Sequence, residues 1–267
     1  MKRWYHEVSA GWLKARQSVL TATDVSSLLP EYKRYLKQSD PDKLMPGFAA
    51  LWASKNTIAD LDTSSPSSAA ARGHIMEPWA VRSWNTQTQP YMYHWDDCLI
   101  RDSTGKLGFS PDAMTVMQKA DHPVLDVYGD ETMGVENILY HQPAEILEIK
   151  SYEPAKHMKA VITERMMHEE LMQLAMAFVV LPYLEKAHML WFCPGAPISM
   201  HTEEYTRDDL HDQIRWIMEI AEVYYKQAQL CEKLSSNMVA QCTEEEVWQE
   251  FLKEQEMNSD NVFILKG

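Results

Sequence analysis

The stretch HQPAEILEIKSY, positions 141–152, constrains the fold more than any other segment. Its apolar residues alternate in the manner of a strand with one face on a core, which puts Glu148 and Lys150 on one side, two residues apart. A face carrying a carboxylate and an ammonium is either solvated or part of a site that handles charge. A long helical stretch, HMKAVITERMMHEELMQLAMAFVVL, follows, and then two further strand patterns, AHMLWFCP and ISMHTEEYT.

Upstream, ATDVSSLL reads as a helix capped by Thr23 or Asp24, and PEYKRYLKQ as another. The Ser/Pro cluster in DLDTSSPSSAAARG, positions 60–73, reads as a loop ending in a helix N-cap. From about Ala69, the spacing of Ile75, Trp79, Val81 and Trp84 predicts an amphipathic helix, with a kink or restart at Pro78. The segment YMYHWDDCLIRDSTGKLGFSPDAMTVMQ has two β-rich arms around the turn DSTGK. Residues 118–141 are turn-rich, an excursion between paired strands, and the chain closes with two helices, roughly 207–235 and 243–256. The order predicts a mixed α/β fold, a central sheet between helical layers, as a single domain over 1–267.

No run approaches the roughly 18 apolar residues of a membrane span, and LAMAFVVLPYL is cut by Pro182. The N-terminus has no apolar signal core, and Cys98, Cys193, Cys231 and Cys242 lack C-x-x-C spacing. These features predict a cytoplasmic protein with free thiols. The net charge of −14 speaks against nucleic acid in sum but not in distribution. Residues 1–50 carry a balance of +3 and residues 201–267 one of −9, so a basic N-terminal face can coexist with an acidic C-terminal layer.

The second hairpin arm ends in GFSPDAM. Pro111 biases Ser110 toward extended geometry and fixes its own φ, which aims Asp112. Asp112 and Glu148 lie 36 positions apart, so they meet only if their strands pair. Two carboxylates at adjacent strand ends, with the Ile149 backbone carbonyl, are hard oxygen ligands suited to Mg²⁺. A lysine on the same face can orient water or stabilise charge on a phosphate. Alone, Glu-x-Lys is commonly a surface pair and Ser-Pro-Asp a turn; together, between strand signals, they suit phosphodiester hydrolysis.

Asp112 with Glu148-Ile149-Lys150 resembles the PD-(D/E)xK nuclease motif, the restriction-endonuclease-like core. The flanking blocks WLKARQSVLTATDV, RGHIMEPWAV and HEELMQLAMAF narrow the resemblance to the lambda-exonuclease or YqaJ-type phage recombination exonucleases, over about 12–180; residues 181–267 are similar only in element order. The resemblance implies two Mg²⁺ ions, replaceable by Mn²⁺, held by Asp112, Glu148, the Ile149 carbonyl and Glu77. Lys150 would position the attacking water, and Gln173 would face the reaction centre. Arg16, Thr23 and Ser110 would grip a 5′-terminal phosphate. It also implies double-stranded DNA ends as substrate, a single-strand annealing protein as partner and a homo-oligomer such as a trimeric ring. His74 replaces the family's lysine, and Leu171 with Gln173 replaces its paired glutamines.

Blander readings stand beside these. Glu77 suits a solvated helix, Arg16 suits a partner for Asp24 or Glu7, and Thr23 suits a helix cap. A solvated helix face accounts for His168, Glu169 and Glu170, and core filling for most of the 17 Met and nine Trp. Two other functions remain open: a RecB- or Cas4-like nuclease or an endonuclease on the same fold, and a non-catalytic DNA-end-binding protein.

Overall fold

The computed structural model describes residues 15–40, 42–56, 68–94, 99–115, 118–119, 126–128, 141–163 and 167–241. Most of the expected 118–141 excursion and the expected helix at 243–256 lie outside the described residues.

Helix α1, Ala22–Tyr35, starts at Thr21. Thr21 and Asp24 cap each other: the Asp24 carboxylate accepts the Thr21 amide at 2.8 Å, and the Thr21 hydroxyl accepts the Asp24 amide at 3.4 Å. The cap is therefore Thr21, not Thr23 or Asp24, and Thr23 sits exposed in the first turn. The two expected helices are one, running through Pro30. Proline removes one amide bond there, but Val25, Leu28, Leu29 and Tyr32 bury a continuous face that holds the helix together.

Helix α2 spans Pro46–Asn56, and α3 spans Ser68–Gln87 with Pro78 inside it, without a restart. Strands β1 Tyr93–His94, β2 Leu99–Arg101, β3 Gly108–Phe109 and β4 Ala113–Met114 follow. Then come β5 Gln118–Lys119, β6 Asp126–Tyr128, β7 His141–Gln142 and β8 Glu145–Lys150. The expected hairpin forms as β2 against β3, around a turn in which Asp102 accepts the amides of Lys106 and Leu107, both at 2.8 Å. Gly105 takes φ 67° in that turn, a conformation that favours glycine.

The expected long helix divides into α4, Pro154–Thr163, and α5, His168–Val180. The second starts where the Glu170 carboxylate reaches back to the Met167 amide at 2.9 Å. Strands β9 Lys186–Phe192 and β10 Met200–Tyr205 and helix α6, His211–Gln241, complete the order.

The main sheet runs β1-β4-β8-β9-β10, with β8 and β9 parallel and the other pairs antiparallel. Its parallel centre is buried on both faces: β9 is apolar from Met189 to Phe192, and β8 buries Ile146, Leu147 and Ile149 together with Glu148. Ala80, Val81 and Trp84 of α3 pack one face against Leu147, Ile149, Leu190 and Phe192. On the other face α5 is apolar nearly all round and lies between the sheet and helices α1 and α6. Among the described residues no helix is long and apolar enough to cross a membrane.

Candidate active site

Strand β4 is two residues long, with Ala113 opposite Leu147 and Met114 opposite Ile146. Continuing that register outward puts Asp112 beside the segment Glu148–Ile149. The Ile149 amide donates to Asp112 Oδ2 at 2.6 Å, which joins the two halves of the sequence motif directly. Thr115 fixes the other end of the pairing, its hydroxyl accepting the amides of Ala144 and Glu145 at 3.1 and 3.2 Å.

Glu148 and Lys150 share the α5 face of β8. Glu148 is buried, 6% exposed, and Lys150 Nζ donates to its Oε1 at 2.7 Å. Burial alone would push the ammonium toward neutrality. The charges of Glu148 and Asp112 outweigh it and hold the Lys150 pKa above its ordinary value. The Asp112 carboxyl moves well above the aspartate range, first through burial, then through the charges of Glu148 and Glu77.

Glu77 reaches the same field from α3. Asn85 fixes the connection to β1 by exchanging hydrogen bonds with the Met92 backbone at 2.7 and 2.8 Å, which sets His94 at the sheet edge. Glu77 lies 3.5 Å from His74 Nδ1 and 3.7 Å from His94 Nε2. Burial works to raise its pKa, but the two imidazoles prevail and lower it to about 2.

The N-terminal block packs against the hairpin. The Leu20 amide donates to Lys106 O at 2.8 Å, and the Gly108 amide to Leu20 O at 2.9 Å. A β-carbon at Gly108 would stand 2.6 Å from Val19 Cγ2, so only glycine admits this approach without a shift. Arg16, just upstream, has its pKa lowered by burial and raised less by the charges of Asp24 and Glu148, so both acids act on it. Lys55 ties the block down, pairing with Asp24 at 2.9 Å and donating to Val19 O at 2.7 Å.

Asp112, Glu148, Lys150 and Glu77 are thus brought into one electrostatic field, with Arg16 at its margin. Ser110, two residues before Asp112, has a buried hydroxyl oxygen with no hydrogen-bond partner among the described residues. Gln173 is half-buried on α5, one turn past Glu170. Thr23 is exposed, and Thr21 supplies the buried hydroxyl at that helix start.

Glu170 corrects the solvated-face reading: it is 3% exposed and accepts a hydrogen bond from the Tyr152 hydroxyl, while Glu169 is exposed. The spacing could have shown it, since Glu170 precedes Leu174 and Phe178 by one and two helical turns on the buried stripe. The histidines flanking Glu77 come from different elements, and only His74 had a sequence cue.

The set of carboxylates fits a hard divalent cation in kind: Glu148 and Glu77 add to the cost of ionising Asp112, with Lys150 as the close countercharge. Among the described residues no group of three His, Cys, Asp or Glu side chains is arranged to hold a metal ion; Glu148 is bonded to Lys150, and Glu77 lies beside its two histidines. Cys193 and Cys231 are buried free thiols; Cys98 and Cys242 lie outside the described residues.

A mixed sheet between helical layers, with Asp112 just before β4 and Glu148-x-Lys150 on the paired β8, has the arrangement of a PD-(D/E)xK nuclease fold. Residues 11–180 match the YqaJ-like viral recombinase domain, and the chain belongs to that family. The fold is similar to the crystal structure of an alkaline exonuclease, LHK-Exo, from Laribacter hongkongensis, with a TM-score of 0.61 at 16% identity, covering 88% of this chain and 100% of that one. Its complex with dAMP gives 0.60 at 17% identity, with the same coverage. No curated protein matches the chain significantly.

Proposed function

We propose that the chain is a divalent-metal-dependent exonuclease that degrades linear double-stranded DNA from 5′ to 3′ and leaves a 3′ single strand for recombination by annealing. The observation that carries this reading is the 2.6 Å bond from the Ile149 amide to Asp112, which joins Ser-Pro-Asp to Glu-Ile-Lys beside a half-buried lysine. Family membership and the likeness to an alkaline exonuclease support it.

In this account Asp112, Glu148, Glu77 and the Ile149 carbonyl hold Mg²⁺, with two ions per site and Mn²⁺ able to replace them. When bound, the cation lowers the pKa of water and neutralises charge on the phosphodiester. Lys150 orients the attacking water and offsets negative charge on the phosphate, its own charge kept by Glu148 and Asp112. His74 and His94 hold Glu77 ionised. Gln173 contacts the reacting strand from α5.

Arg16 and Ser110 receive the 5′-terminal phosphate, since a guanidinium offers a two-pronged contact and the Ser110 hydroxyl lacks a partner among the described residues. The exposed Thr23 faces solvent at the same helix start, where backbone amides favour an anion. The nuclease unit is one domain, 1–267. It acts as a homo-oligomer, of which a trimeric ring is one form, beside a phage single-strand annealing protein in the bacterial cytoplasm.

Duplex DNA labelled at either end, linear with 5′-phosphate or 5′-hydroxyl termini or covalently closed, tests this reading in Mg²⁺ and in EDTA. Mg²⁺-dependent loss of the 5′ label from linear DNA, fastest with a 5′-phosphate and less phosphate-dependent in Arg16→Ala, is the expected result. Cutting of the closed circle would point to an endonuclease, and end binding without cleavage under any divalent metal to a scaffold.

A further inference from the structure

Lys150 is asked to do two things that conflict. Its ammonium is bonded to Glu148 at 2.7 Å, yet the proposed chemistry needs Glu148 to turn to a cation. A carboxylate that leaves a half-buried lysine for a metal strands one positive charge beside another, and a second anion nearby would offset that cost.

The structure supplies one on the helix facing that strand. Glu170 of α5 is buried and fixed at both oxygens: Oε1 accepts the Tyr152 hydroxyl, and Oε2 accepts the Met167 amide at 2.9 Å. Tyr152 lies two residues beyond Lys150, on the segment that leaves β8. The Lys156 ammonium stands 3.7 Å over its ring and holds it from the outer side. The Glu170 charge also favours the Lys150 ammonium, after those of Glu148 and Asp112, although no hydrogen bond or ion pair joins Glu170 to Lys150 among the described residues.

We propose that Glu170 is a positioning residue: a fixed second anion, braced by Tyr152 and the start of α5, that keeps Lys150 in place when Glu148 is taken by metal. The inference rests on the proposed function and deepens it. It separates the two roles Glu170 could have, since capping α5 needs only an accepting oxygen whereas holding Lys150 needs the charge.

A double-mutant cycle on the full chain separates them. Mn²⁺ affinity is measured by titration calorimetry without DNA for wild type, Glu170→Gln, Lys150→Met and the double variant, with thermal melting of each. Glutamine keeps an acceptor for Tyr152 or Met167 but loses the charge, so Lys150 then competes for Glu148. The expected result is a Glu170→Gln melting temperature near that of wild type and a Mn²⁺ Kd raised about fivefold, with no such rise in the Lys150→Met background. On linear duplex, Glu170→Gln should lower kcat about tenfold and leave KM unchanged.

An equal effect of Glu170→Gln in both backgrounds, or none in either, would overturn the inference and leave Glu170 as a helix cap. If wild type binds Mn²⁺ and cleaves DNA while the cycle shows no coupling, only this inference fails. If wild type neither binds Mn²⁺ nor cleaves, the proposed function fails with it.

Discussion

Asp112 is the least comfortable charge in the site. Burial and two neighbouring carboxylates raise its pKa, so the folded chain holds the Asp112 proton more tightly than the unfolded chain does. Stability contributed by the protonated form is present below the unfolded value of about 3.8 and is lost as pH rises through the raised folded value. Metal-free Asp112→Asn should therefore melt above wild type at neutral pH, and the difference should vanish toward pH 3. Divalent metal should raise the melting temperature of wild type and leave the variant unchanged. Melting followed by circular dichroism in EDTA and in Mg²⁺, across pH, reads all of this. A variant less stable than wild type at neutral pH would contradict the raised pKa.

Which elements form was largely legible; where each starts and stops was less so. Strand β8, the hairpin and α3 followed from periodicity and turn chemistry, because the apolar residues of each recur at the element's own period. ATDVSSLL and PEYKRYLKQ read as two helices, but tertiary burial along one face of α1 carries a single helix through Pro30. The division between α4 and α5 depends on Glu170 capping Met167, a bond that an acidic run does not announce. Asp112, Glu148 and Lys150 were legible because strand order brings them together, whereas His94 and Tyr152 gain their roles through packing across elements.

The closeness of the N-terminal block to β3 is a property of this packing. Gly108→Ala should destabilise the protein by about 1–3 kcal/mol by forcing Val19 off the hairpin. Val19→Ala in the same chain should recover part of that loss, as urea denaturation would show. Equal stability of Gly108→Ala and wild type would mean that the block does not sit where the structure places it.

At the scale of the molecule, the charge distribution fits a protein that meets nucleic acid at one restricted place. The chain carries −14 overall, yet Lys150 and Arg16 are gathered where Asp112, Glu148 and Asp24 act on them. On the proposed function, affinity for DNA would come from few phosphate contacts and not from a basic surface. The acid-rich segment 201–267 contains all of α6, which packs on the helical layer opposite α3. Asp112 and Lys150, far apart in sequence, form one hydrolytic site under the proposed function. Single-turnover digestion of linear duplex by wild type, Asp112→Ala and Lys150→Ala in saturating Mg²⁺ tests it most directly. The account predicts a rate loss of at least about 100-fold in each variant with end binding retained, on the scale of a lost catalytic group. Digestion by either variant at the wild-type rate would contradict it.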